Sequence, residues 1–125
     1  MDDAIYRELL AARGEGDDSG VELLRRHDPQ CLAGLKAFYV DAVLGREDGA
    51  LSRASKEMVI MVSAAAQRSW GGMARHLAKA LDAGAGPREV LEFFEAAAIN
   101  AGVPVLWRGS QALARELEKR KQPFE

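Results

Sequence analysis

The sequence predicts an all-α domain, on three observations. Alanine is the commonest residue and leucine the next, threonine is absent, and valine and isoleucine are sparse. Alanine and leucine lose little side-chain entropy in a helix, whereas strands are rich in β-branched and aromatic residues. Apolar residues recur at helical spacing through most of the chain, and the breaks between them are short and hold Gly and Pro.

Taken in order, residues 2–13 form a short helix with Ile5, Leu9 and Leu10 as its apolar stripe. The run Gly14-Glu15-Gly16-Asp17-Asp18-Ser19-Gly20 then breaks it, so residues 1–20 are expected to be a loosely attached N-terminal arm. The helical domain is expected over 21–125. A second helical stretch covers about 21–27 and a third about 29–44. In the third, Leu32, Leu35, Phe38, Tyr39 and Val43 repeat at helical spacing, and Pro29 suits a first turn. Gly45 to Gly49 make a turn. Ser52 is the candidate N-cap of the next helix, which runs to about Arg68.

The middle of that helix, Met58 to Ala66, is apolar on every side, which normally means burial all round. Trp70-Gly71-Gly72 interrupts. A further helix carries Met73, Leu77, Ala80 and Leu81 and ends at Gly84. Pro87 opens another, over 88–101, apolar on more than one face through Val90, Leu91, Phe93, Phe94 and Ile99. Gly102 and Pro104 punctuate the chain, and a last helix covers about 105–119. Two helices apolar all round are too much for the interior of one small monomer, so a homo-oligomer is expected.

At 125 residues the chain is one domain's worth, able to bury roughly two-thirds of its unfolded surface. Seventeen Lys and Arg against nineteen Asp and Glu give a formal net charge of −2. That balance offers no electrostatic footprint for nucleic acid and no basic helix for an anionic membrane. No apolar run approaches the length of a membrane span, and Met1-Asp2-Asp3 is acidic where a signal peptide is basic. One cysteine, Cys31, excludes an intramolecular disulfide and a Cys-rich zinc site. A cytoplasmic, soluble protein is expected.

Two features carry candidate chemistry. Glu57 stands directly before the most apolar run, and His76 lies on the next helix, past the Gly-Gly break. If the break reverses the chain, the two side chains face each other. A carboxylate beside an imidazole holds one ring tautomer and suits a proton shuttle near neutral pH. The plainer alternative is a first-turn glutamate favoured by the helix dipole and a structural histidine. The second feature is Ser69-Trp70-Gly71-Gly72. With Ser69 as cap, the free N–H groups of the following turn make a carboxylate-binding end; the alternative is an ordinary tight turn with Trp70 as packing.

Other signals are weaker. His27 and His76 lack metal-ligand spacing, so no metal is expected. There is no Gly-x-Ser-x-Gly elbow and no phosphate loop. Cys31 reads as a small buried hydrophobe, and Trp107-Arg108 as a core Trp beside a surface Arg.

Gly49-Ala50-Leu51-Ser52, Lys56-Glu57, the Ala-rich run, His76, Ala80-Leu81-Asp82-Ala83-Gly84-Ala85, Arg88-Glu89 and Gly102-Val103-Pro104 together resemble the carboxymuconolactone decarboxylase family, which includes the alkyl hydroperoxidase D-like proteins. The resemblance spans about 29–117. It implies an all-helical subunit, commonly a homotrimer or homohexamer, with its active site near a subunit interface. In the peroxidase branch a Cys-x-x-Cys pair does the redox chemistry, and a Glu and a His form the proton relay. Glu57 and His76 match the relay, whereas the cysteines fall at Ser69 and Gly72. A serine does not cycle through sulfenic acid and disulfide, so peroxidase chemistry of that type is not expected.

The decarboxylase branch removes CO₂ from a lactone carboxylate with acid/base groups and no cofactor. By that likeness His76 is the acid, Glu57 its orienter, and Ser69, Trp70, Gly71 and Gly72 the substrate-binding donors. Trp70 and Gly71 depart from the acidic and basic residues that the resemblance leads one to expect there. The expected function is a cofactor-free lyase or isomerase acting on a small, cyclic, carboxylated metabolite. The alternative is a catalytically retired relative that binds a ligand or serves in an assembly.

Overall fold

The computed structural model describes residues 3–14 and 16–125. Its regular elements among the described residues are all helical: α1 (Asp3–Arg13), α2 (Ser19–His27), α3 (Pro29–Lys36), a π-helical continuation of α3 (Ala37–Leu44), α4 (Arg53–Ala66), α5 (Trp70–Asp82), α6 (Pro87–Ala101) and α7 (Val103–Arg120). The all-α expectation holds. None of these helices is long and apolar enough to cross a membrane.

The chain divides into two compact units, residues 1–50 and 51–125. The first is small. Leu9 of α1, Val21 of α2 and Leu32 of α3 are buried together, with Tyr6, Leu10, Leu24, Tyr39 and Val40 against them. The stripe of α1 that includes Leu9 thus finds its partners on α2 and α3. Asp28 caps α3 by accepting a hydrogen bond from the Cys31 amide, and Pro29 stands in the first turn as its fixed φ allows.

The π-helical segment closes with the Gly45 amide donating to the Val40 carbonyl, five residues back. A β-carbon at Gly45 would stand 2.7 Å from that oxygen, so this closure requires glycine. Cys31 is exposed, which corrects the expectation of a buried small hydrophobe. The stripe of α3 that faces inward runs through Leu32, and Cys31 lies one residue off it.

The second unit is built on two helical hairpins. The Ser52 hydroxyl accepts from the Ser55 amide, so Ser52 caps α4 as its residue type suggests. α4 and α5 are joined through Gln67, Arg68 and Ser69, where Arg68 takes a left-handed φ of 62°. The α4 face carrying Met58, Met61 and Ala65 meets Met73, Leu77, Ala80 and Leu81 of α5. α6 and α7 are joined at Gly102, whose φ of 100° is open to glycine and strained for other residues. Arg68 reaches across to donate to the Ala101 carbonyl at 3.0 Å, tying the two turns together. Val90 and Phe94 from α6, with Val105, Leu113 and Leu117 from α7, complete the core.

Neither all-round apolar helix is covered on every side within the chain. Val59 on α4 is half exposed and Ile99 on α6 is 84% exposed. Trp107 is 71% exposed, which corrects the expectation of a core tryptophan. It shares a face of α7 with exposed Val103, one turn earlier.

Candidate functional site

The three-residue turn between α4 and α5 makes the helices antiparallel neighbours, so residues at matching heights meet. Glu57 and His76 meet in this way. Glu57 Oε1 lies 2.7 Å from His76 Nδ1, across nineteen residues of sequence. Glu57 is 1% exposed and His76 5% exposed. Met61, one turn from Glu57 on α4, and Met73, one turn from His76 on α5, both belong to the buried core. The expected facing pair is therefore present, and it is desolvated.

The other oxygen of the carboxylate is taken as well. Arg53 Nε donates to Glu57 Oε2 at 2.8 Å, from one turn earlier on α4. Sequence reasoning missed Arg53, although its i,i+4 spacing from Glu57 was a usable signal. Burial pushes the Glu57 carboxyl upward, but the hydrogen bonds from His76 and Arg53, with their charges, outweigh it and hold the group below its ordinary value of 4.5. Glu57 is thus a buried carboxylate stabilised as an anion from two sides.

An open cleft of about 210 Å³ adjoins the pair, lined by Arg53, Glu57, Lys79, Asp82 and Ala83. It brings Glu57 to the surface of a ligand-sized space but does not include His76 or the Ser69-to-Gly72 turn. That turn lies one helical turn before His76. Trp70, Gly71 and Gly72 belong to the first turn of α5, so they begin the helix instead of interrupting the chain. Ser69 is the N-cap residue, yet its side chain caps nothing. Half-buried Trp70 has two guanidiniums against its ring, Arg68 at 5.8 Å and Arg108 at 5.2 Å from the ring centre. A β-carbon at Gly72 would stand 3.0 Å from the Ser69 hydroxyl oxygen and 3.6 Å from the Arg75 guanidinium. Arg75 Nε is itself buried without a hydrogen-bond partner. Ser69, Arg75 and the start of α5 therefore concentrate donors around Gly72.

The profile of the carboxymuconolactone decarboxylase family covers residues 29–115. The chain belongs to this family. Among solved structures, a protein of Burkholderia xenovorans LB400, provisionally assigned as a carboxymuconolactone decarboxylase, has the same fold, with a TM-score of 0.76. The alignment covers 95% of this chain and 93% of that one at 20% identity. No curated protein sequence matches the chain. Within the carboxymuconolactone decarboxylase family match lie the Glu57–His76 pair, Arg53, the cleft and the Ser69-to-Gly72 turn.

Proposed function

We propose that this carboxymuconolactone decarboxylase family member is a cofactor-free lyase or isomerase acting on a small, cyclic, carboxylated metabolite. The observation that carries the reading is the buried 2.7 Å contact between Glu57 and His76 Nδ1. A carboxylate anchored on both oxygens fixes the imidazole orientation and stabilises the imidazolium that proton transfer requires. In a decarboxylation, the bond from the carboxyl carbon to the ring breaks, CO₂ leaves, and the electron pair enters the conjugated lactone as a dienolate. His76 then returns a proton to carbon. In an isomerisation, the same pair removes a proton at one carbon and delivers it at another. Ser69, Trp70, Gly71 and Gly72 enter as donors to the developing negative charge, supported by the uncapped start of α5 and the Arg75 guanidinium beside it.

We propose assembly as a homotrimer or homohexamer. The support is the exposed apolar surface at Val59, Ile99, Val103 and Trp107.

The direct test screens small lactone and cycloalkene carboxylates for CO₂ release or double-bond migration. His76→Gln removes the general acid/base and should cost about 10²–10⁴ in rate on any substrate found. Glu57→Gln should cost less, because the amide still orients the ring. Full activity in His76→Gln rejects the reading. The second reading, a ligand-binding or assembly subunit, is favoured by one observation: the cleft reaches Glu57 without reaching His76. It predicts ligand binding with no turnover.

A further inference from the structure

We infer that Arg53 is the specificity-determining residue of this site: it recognises a non-reacting carboxylate of the substrate in the cleft beside Glu57. The inference rests on the proposed acid/base role of the pair and adds where, and by what group, the substrate is held.

The charged side chains of the cleft are used unequally. Of its two carboxylates, Glu57 accepts from His76 on one oxygen and from Arg53 on the other. Asp82 is bound by Arg120 at 2.9 Å, from α7. Each carboxylate therefore already carries a cation of the protein, Glu57 on both oxygens and the more exposed Asp82 on one. Arg53 is in the opposite condition. A guanidinium carries five N–H donors, and the Nε bond to Glu57 is the single side-chain hydrogen bond that Arg53 makes among the described residues. Its side chain is 42% exposed, on the cleft wall. The Glu57 contact is thus one-point and holds one edge of a planar fork whose terminal nitrogens keep their donors. Lys79, on the same wall, adds a second positive charge. The terminal nitrogens of Arg53 are spare donors on the cleft wall, and a planar carboxylate is the ligand that a guanidinium fork binds in two-point fashion.

Size and chemistry narrow the ligand further. A space of about 210 Å³ is below the roughly 300–1,000 Å³ of sites for drug-sized molecules, so it fits a small metabolite or one end of it. A carboxylate that leaves as CO₂ must shed its hydrogen bonds, and a two-point clamp would oppose that. The carboxylate held by Arg53 is therefore a spectator, and the reacting carbon lies toward the pair. Arg53 is anchored one helical turn from Glu57, so the same contact that orients the carboxylate fixes where the substrate's fixed end sits relative to it. A residue serving only as an ion-pair partner for Glu57 would give no ligand selectivity.

The test is NMR titration of the isotope-labelled full chain with glutarate, acetate and benzoate, using glutaramide as the uncharged control. Saturable shifts of the Arg53 Nε–H resonance are expected with at least one carboxylate and not with glutaramide. Arg53→Gln should weaken that binding about tenfold or more, and Arg53→Lys less, because the charge stays while the fork is lost. The His76 ring signals in Arg53→Gln report whether the pair still forms, so loss of binding with an intact pair isolates recognition from folding. Absence of saturable binding by all three carboxylates, or unchanged affinity in Arg53→Gln, overturns the inference. Carboxylate binding that depends on Arg53 in a protein whose His76→Gln variant keeps full turnover would uphold the inference while rejecting the acid/base reading.

Discussion

Gly109 of α7 lies directly under the ring of Phe94 of α6. A β-carbon built at Gly109 would stand 2.4 Å from the Phe94 ring, and Phe94 itself has no exposed surface. The absent side chain on one helix is what lets the largest core side chain of the other lie flat between them.

Gly109→Ala should therefore destabilise the protein by about 1–3 kcal/mol through overpacking, although alanine is the better helix former. Phe94→Ala should cost about 3–5 kcal/mol by leaving a cavity. Urea unfolding of both variants checks the ordering. A Gly109→Ala variant more stable than wild type would mean that α6 and α7 do not approach as described.

The acid dependence of stability follows from Glu57. Its carboxyl lies below 4.5 in the fold and takes that ordinary value when unfolded. Between the two values the unfolded chain binds more protons, so this contribution is full above the unfolded value and is lost as pH falls through the folded one. Urea unfolding from about pH 5 to about pH 3 should show a shallower loss of stability in Glu57→Gln than in wild type. Equal slopes would mean that the carboxyl gains nothing from His76 and Arg53.

Much of this second unit was legible in the sequence because its signals are local. Ser52 as a cap, Pro87 at a helix start and Gly102 at a turn each depend on a residue's own backbone preferences. The Glu57–His76 meeting was legible because a short turn between helices leaves few ways to pair them. Exposure was less so: the periodicity around Val59, Ile99 and Trp107 records apolar character, not which apolar face the chain itself covers. Cys31 was misplaced by a single residue of helical phase, 100° of rotation away from Leu32. The interest of Arg53 emerged only with the cleft, since an arginine one turn before a glutamate is an ordinary surface pair until the glutamate proves buried.

The thiol chemistry is expected to be absent at the pair. Ser69 and Gly72 carry no sulfur, and Cys31 is exposed in the other unit. Native protein should react with a thiol reagent at Cys31, as an accessible side chain does, yet show no thiol-dependent peroxide turnover. Peroxide consumption that vanishes in Cys31→Ser would contradict this.

The assembly prediction concerns the apolar outer face of the second unit. Light scattering at micromolar concentration should report a trimer or hexamer, and Trp107→Asp should shift it toward smaller species by placing a charge on Val103's face of α7. A stable monomer in the wild-type protein would remove the assembly proposal.

The central claim is that Glu57 and His76 act as one hydrogen-bonded unit, and the nitrogen resonances of the His76 ring read that unit most directly. With Nδ1 donating to Glu57, the wild-type protein at neutral pH should show a protonated Nδ1 whose proton is shifted downfield and slow to exchange with water. Glu57→Gln should move that signal strongly while Trp107→Asp leaves it in place. An Nδ1 that is unprotonated in the wild type, or a ring spectrum unchanged in Glu57→Gln, would contradict the account.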